Sequence, residues 1–282
     1  MNLLIATLTE TVLLPMAAAV LMALVWFRIG KPSHISGALG LVAGFGLGFG
    51  LIAGFNEFPP VKMTNWLPYF ALISCLPFAA FSKVRFGFRW LLPGLLIAGF
   101  LFVLLKPFWQ RWELWVYAAW FLGLAVVWLS LWMAWEIGFP APDGLEARLL
   151  MVLSVIGVSL VAVLDGSAII GQLAGVLVAC LCGLFLLALK RPEIPLARAG
   201  TAVFFSLFGS FLVMAYFYVE VDPLAVGLAC LPPLCCLGVR LPWYRRRLPW
   251  QRYLVLVGAA AIIIFSTAAY LYVTTRGEEY GY

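Results

Sequence analysis

The chain has 282 residues, 65% of them hydrophobic and only 11% charged, with a formal net charge of +6. Ordinary soluble domains carry about 25% charged residues, so this chain has too little polar material to clothe a water-soluble surface. The basic residues sit in short gaps between apolar runs, so the positive charge reads as membrane orientation and contact with anionic lipid rather than nucleic-acid binding.

Lipid leaves only helices or closed barrels as spanning structures, and barrel strands would alternate apolar and polar residues over about ten positions. The runs here are apolar all round. The expectation is an all-α integral membrane protein, a bundle of about ten transmembrane helices forming one polytopic domain over residues 1–282, with no polar linker dividing it. The first helix is expected at 8–27. No Lys or Arg precedes it and Arg28 follows it, the wrong order for a cleavable signal peptide, so it reads as permanent. Thr7 and Glu10 have capping-box spacing, which would start this helix at Leu8. The other reading of Glu10 is a carboxylate at membrane depth that carries a proton or cation.

The second helix, 37–54, carries Gly40, Gly44 and Gly48 on one face. The third, 66–82, is flanked by Pro68 and Pro77, and the fourth, 89–105, is entered by Pro93-Gly94. The fifth, 113–136, is bracketed by Glu113 and Glu136 in the headgroup zone. The sixth, 147–164, and the seventh, 168–189, are split by the turn Asp165-Gly166-Ser167, with Asp165 expected to cap the seventh. The seventh repeats the small-residue row with Gly171, Gly175, Ala179 and Gly183 and holds Gln172. The eighth, 198–219, has Ser206 and Ser210 four apart on one face. The ninth, 223–239, opens with Asp222-Pro223, an N-cap followed by a first helical proline, and carries Pro232-Pro233 inside it. The tenth covers 250–274.

Glycine rows let backbones approach closely, either for packing alone or as a sliding surface between moving halves. Internal prolines remove donors and free carbonyls, giving either a kink or a broken helix that lines a cavity. Hydroxyls at Ser74, Ser130, Ser154, Ser159, Ser206, Ser210, Ser266 and Thr267 read mainly as bonded to their own helices. So few strong polar groups argue against a highly charged substrate. The six cysteines, at 75, 180, 182, 230, 235 and 236, read as small packing residues.

Threading ten spans from an outside N-terminus puts 14 Lys and Arg in inner gaps and 4 in outer ones, which favours both termini outside the cytoplasm of a bacterial inner membrane. One inner gap fits poorly, since Asp143 and Glu146 outweigh Arg148. The stretch from Arg240 to Arg252 is read as a lipid-interface segment through Arg240, Trp243, Arg245, Arg246, Arg247 and Trp250, held by anionic headgroups on the cytoplasmic side. Glu220 and Asp222 form an acidic pair whose alternative role is a cation-collecting mouth. The single histidine, His34, reads as a solvated loop residue. No set of metal ligands, aspartate cluster or Gly-rich phosphate loop is evident, so neither metal nor cofactor is expected, and an enzyme is the weaker class.

The halves 1–137 and 147–274 echo one another. The glycine rows lie 131 residues apart, Pro93 and Pro223 lie 130 apart, and Lys106-Pro107-Phe108-Trp109 matches Arg240-Leu241-Pro242-Trp243 at 134 to 135. Five helices per half would make the repeat inverted, a common transporter plan. Phe58-Pro59-Pro60 with Trp66-Leu67-Pro68-Tyr69 resembles a segment of uncharacterised many-span bacterial membrane proteins, and this implies no activity. In size and span number the chain is similar to the drug/metabolite transporter superfamily, an analogy of architecture only. That superfamily keeps its termini inside, opposite to the charge count.

The first functional expectation is a secondary carrier for a small, weakly polar or amphipathic solute. Its path would run between the second, fourth, seventh and ninth helices, past Glu10, Gly44, Pro93, Gln172, Gly175 and Pro232. The alternative is a non-catalytic subunit or scaffold that binds partner helices or lipid, and an intramembrane lipid enzyme comes third.

Overall fold

A computed structural model describes residues 7–29, 35–54, 58–80, 88–139 and 144–279. For 79–80, 88–90 and 275–279 it describes the helical backbone only. Lys31, His34, Lys83, Arg85 and Asp143 lie outside the described residues. Every regular element among the described residues is helical. In chain order these are α1 (Thr9–Ile29), α2 (Ser36–Ala53), α3 (Leu67–Ala80), α4 (Phe88–Leu105), α5 (Leu114–Gly138), α6 (Leu145–Leu164), α7 (Ala168–Lys190) and α8 (Ala197–Tyr218). They continue with α9 (Pro223–Ala229, prolonged by a 3-10 helix Pro232–Arg240) and α10 (Pro249–Glu279).

Nine stretches among the described residues are long and apolar enough to cross a bilayer, so the chain is a multi-span helical membrane protein. The exception is α3. Its 14 residues rise about 21 Å at 1.5 Å each, against a hydrocarbon core of about 30 Å.

Burial distinguishes hub from rim. In α8, 89% of the apolar window is buried, against 17% in α1 and in α5, so α8 is the axle and those two face lipid. The tightest knot joins α1, α2 and α7 through glycines. A Cβ on Gly44 would lie 2.6 Å from the Pro15 carbonyl, 2.7 Å from Ala19 and 2.8 Å from the Cys180 sulfur. Gly40 is closed by Ala19 and Ala23, Gly48 by Pro15 and Val176, and Gly183 by Met16 and Val20. This register makes α2 antiparallel to both α1 and α7. Close backbone approach of this kind supplies van der Waals packing where lipid removes the hydrophobic drive between helices.

Several local expectations change. Thr7 is already helical, so the capping box does not form, and Thr11 Oγ donates to the Thr7 carbonyl at 2.7 Å. Glu10 instead sits in one π-helical turn, Thr9–Leu13. Pro15 explains that turn: a proline cannot donate, and its ring crowds the carbonyl four residues back, so the helix widens before it. Between α6 and α7 the turn forms with Gly166 at φ +92°, but the N-cap of α7 is Ser167, not Asp165, which closes α6 instead.

The antiparallel threading gathers two faces. On one, Arg148 of α6 is 3% exposed and donates to the carbonyls of Leu184 (3.1 Å) and Ile194 (2.7 Å). There too Gly37 N–H donates to Pro195 O at 3.1 Å, and Arg198 approaches Glu136 at 4.0 Å. The opposite face carries the α6–α7 turn and the α8–α9 loop, where Tyr218 donates to Leu104 O at 2.6 Å.

Candidate functional site: a groove beside a broken helix

The α8–α9 connection is built from two caps. Glu220 takes a left-handed conformation (φ 63°), while Val221 N–H reaches back to Ala215 O and Val219 N–H to Met214 O. The α8 carbonyls are thereby closed off. Asp222 then accepts from the amides of Leu224 (2.7 Å) and Ala225 (3.4 Å), and Pro223 fills the first helical position. The acidic pair is thus a C-cap followed by an N-cap.

From that cap α9 descends only to Ala229. Pro232 and Pro233 have no N–H to give, so neither serves the carbonyls of Ala229 or Cys230. Leu231 N–H turns to Leu228 O (3.0 Å) and Leu234 N–H to Leu231 O (2.9 Å), tightening the chain into the 3-10 segment. That segment packs on α5, where Cys236 Sγ meets Ala134 O at 3.3 Å and a Cβ on Gly138 would strike the Cys236 carbonyl.

The short α9 leaves space above the break. A cavity of about 240 Å³ opens between α5, α8 and α9. Trp120 and Tyr216, with ring centroids 5.3 Å apart, mark its upper rim. Trp128 forms the floor, its ring laid over Gly209 so closely that any Cβ there would clash, and its Nε1–H fixed to Phe205 O at 3.0 Å. Gly227 and Cys230 of α9 complete the wall, and a Cβ on Gly227 would meet nothing within 4 Å. The lining is almost wholly apolar, and the polar groups within reach are Tyr216, the Cys230 thiol and the break in the backbone. An apolar void of about 150 Å³ is enough to hold benzene, so this one takes a larger apolar group or a length of chain.

The residues singled out from sequence are spread more widely. Gly44 is locked in the α1–α2–α7 knot. Pro93 is buried within α4, which stays helical through it. Glu10 and Gln172 are exposed, Gly175 is half-buried with open space where a Cβ would go, and Pro232 is buried at the α9 break. None of these six lines the groove. Below the groove, α3, α5 and α8 close around an aromatic block: Trp132 stacks on Phe78 (5.8 Å) and Phe205 (5.4 Å), and Trp135 packs edge-on to Phe205. Both indoles are at most 1% exposed.

Of the interface residues, Arg240, Trp243, Arg245, Arg246, Arg247 and Trp250 are all exposed around a four-residue helical turn, Pro242–Arg245. Tyr244 lies buried beneath them. Burial pushes its hydroxyl pKa up, Glu146 nearby acts in the same direction, and the hydroxyl contacts Arg252 O at 3.2 Å.

Sequence reasoning missed two groups of residues. Arg148 entered only as a charge of the inner gap, and its position in the first turns of α6, just before an apolar run, gave no sign that it would be buried. Trp128, Gly209 and Gly227 carried no local signal, because their relation exists only across helices. No protein family, curated protein or solved structure matches this chain.

Proposed function

We propose that the protein is a membrane carrier for a weakly polar or amphipathic, lipid-like solute, seated in the groove between α5, α8 and the broken α9. The observation that carries this reading is the apolar void of about 240 Å³ lying directly above a helix break. Its wall accepts an apolar chain, and the backbone at the break, where Pro232 and Pro233 donate no N–H, offers carbonyl acceptors to a hydroxyl or amine. Discontinuous helices near the midplane are where secondary carriers place their substrates.

A second support is the pattern of helix crossings. Ser74 of α3 donates to Ser206 of α8, 132 residues on, at 2.5 Å. In the α2–α7 crossing, Gly48 meets Val176, 128 residues on, and Gly44 meets Cys180, 136 on, so that crossing is also centred at 132. Two antiparallel crossings centred on one chain separation are what an inverted five-plus-five repeat produces at its pseudo-two-fold axis. On this reading the axis passes between α3 and α8 and between α2 and α7. The arginine-rich face is taken as cytoplasmic, with both termini outside.

The test is movement of a lysophospholipid with a nitrobenzoxadiazole-labelled headgroup across vesicles containing the purified protein, read by dithionite quenching. Wild-type protein is expected to speed the movement over protein-free vesicles. Gly227→Leu, which puts an isobutyl group into the groove from a position whose Cβ meets nothing within 4 Å, is expected to slow it at least tenfold. No protein-dependent movement, or movement that Gly227→Leu leaves unchanged, contradicts the reading. The second reading, a non-catalytic subunit whose groove seats a partner helix, draws on the aromatic block that fills the interior below the groove.

A further inference from the structure

The strongest charged feature outside the groove is the link between α9 and α10. Residues 240–252 hold five arginines and no acid. Among the described residues, the ion pairs at this face, Arg198–Glu136 and Arg191–Glu193, use none of the five. One of the five is spent on architecture: Arg252 donates from Nε to Arg247 O (3.1 Å) and from Nη2 to Arg245 O (3.3 Å). With Tyr244 buried under the turn, this fixes the backbone so that Arg246 and Arg247 project from a set frame.

Those two side chains, with Pro242, Trp243 and Gln251, enclose a shallow pocket of about 710 Å³. Arg247 is held over the Trp243 ring, its guanidinium carbon 5.9 Å from the centroid. Leu248 N–H donates to Gln251 Oε1 at 3.3 Å, so the amide N–H₂ of Gln251, which lines the pocket, is its remaining donor group. The pocket also adjoins the first turn of α10, a 31-residue helix. Cations at the positive end of a helix are unfavourable and anions favourable, so a guanidinium cluster there carries repulsion that a bound anion relieves. The same surface exposes Leu241, Trp243, Leu248 and Trp250, each at least 45% accessible, which places the pocket at headgroup depth beside acyl chains.

We propose that this pocket binds the phosphate of one anionic glycerophospholipid from the adjoining leaflet. Arg246, Arg247 and the Gln251 amide hold the phosphate, while Trp243 and Trp250 flank the glycerol and upper chains. The arginines act as planar forks on the phosphate oxygens rather than as diffuse charge.

The experiment is titration of purified full-length protein in neutral detergent with dioctanoyl phosphatidic acid, followed by microscale thermophoresis, with dioctanoyl phosphatidylcholine and inorganic phosphate as separate ligands. Wild-type protein is expected to bind phosphatidic acid in preference to both. Arg246→Gln and Arg247→Gln are each expected to weaken binding about fivefold, and the pair about 25-fold. Arg28→Gln removes the same charge from an exposed site on another helix and is expected to change binding less than twofold. Thermal unfolding of the double variant reports that it folds, since both arginines are exposed. Equal weakening by Arg28→Gln would reduce the effect to bulk charge and overturn the proposal. Equal affinity for inorganic phosphate or phosphatidylcholine would also overturn it.

Discussion

Glycine plays opposite parts in the two regions that organise this molecule. In the α1–α2–α7 knot, Gly40, Gly44, Gly48 and Gly183 are each filled by a neighbour's backbone or side chain. In the α5–α8–α9 region Gly209 is filled by the Trp128 ring, but Gly227 faces open space. The knot is closed because α2 crosses α1 and α7 closely at its glycines, where neighbouring backbone and small side chains fill the space. The groove is open at Gly227, near the end of the seven-residue α9, just before the helix tightens into its 3-10 continuation.

Substitutions can sharpen that contrast. The largest effect is expected at Gly44→Leu: its Cβ alone would lie 2.6 Å from the Pro15 carbonyl. Overpacking costs about 1–3 kcal/mol even where neighbours yield, and here the neighbour is backbone, so little folded protein should survive size-exclusion chromatography in detergent. Next comes Arg148→Met, which removes two hydrogen bonds from a buried charged donor. A loss of about 3–6 kcal/mol follows, at about 1.5–3 kcal/mol for each of the two bonds, measurable by denaturant unfolding in mixed micelles. Asp222→Ala uncaps α9 at the groove's mouth and should cost about 1 kcal/mol in the same assay. Ser74→Ala removes an interhelical bond of a kind that averages about 0.6 kcal/mol in membranes. Gly227→Leu should be the smallest, with no measurable loss of thermal stability. If it destabilised the protein as Gly44→Leu does, the groove would be another packed interface and the contrast would fail.

The positions of the described helices were legible in the sequence because each lies in a long, mainly apolar stretch set off by turns or charges. Their ends agree within a few residues, as for α3, expected at 66–82 and found at Leu67–Ala80. At α9 the sequence showed that Pro232-Pro233 disturbs the helix but left kink and break open; the structure ends the α-helix at Ala229 and continues it as a 3-10 segment. The caps were only half legible. Asp222-Pro223 acts as expected, whereas Thr7 and Asp165 do not, because Pro15 and the Ala162–Ser167 contact (2.8 Å) set the local geometry instead. The groove was illegible. Its members come from three helices, and glycine spacing does not tell a filled approach from an empty one. Arg148 shows the same limit from the other side: its partners, Leu184 and Ile194, lie 36 and 46 residues away.

Occupancy of the groove is the central claim, and photolabelling tests it most directly. The purified protein in vesicles would be irradiated with a diazirine-bearing fatty acid and the labelled peptides mapped by mass spectrometry. The account predicts label concentrated on 120–131, 208–216 and 223–230, and lost from those segments in Gly227→Leu. Label spread evenly over the lipid-facing helices, α1 included, with no concentration on those three segments and no change in that variant, would contradict it.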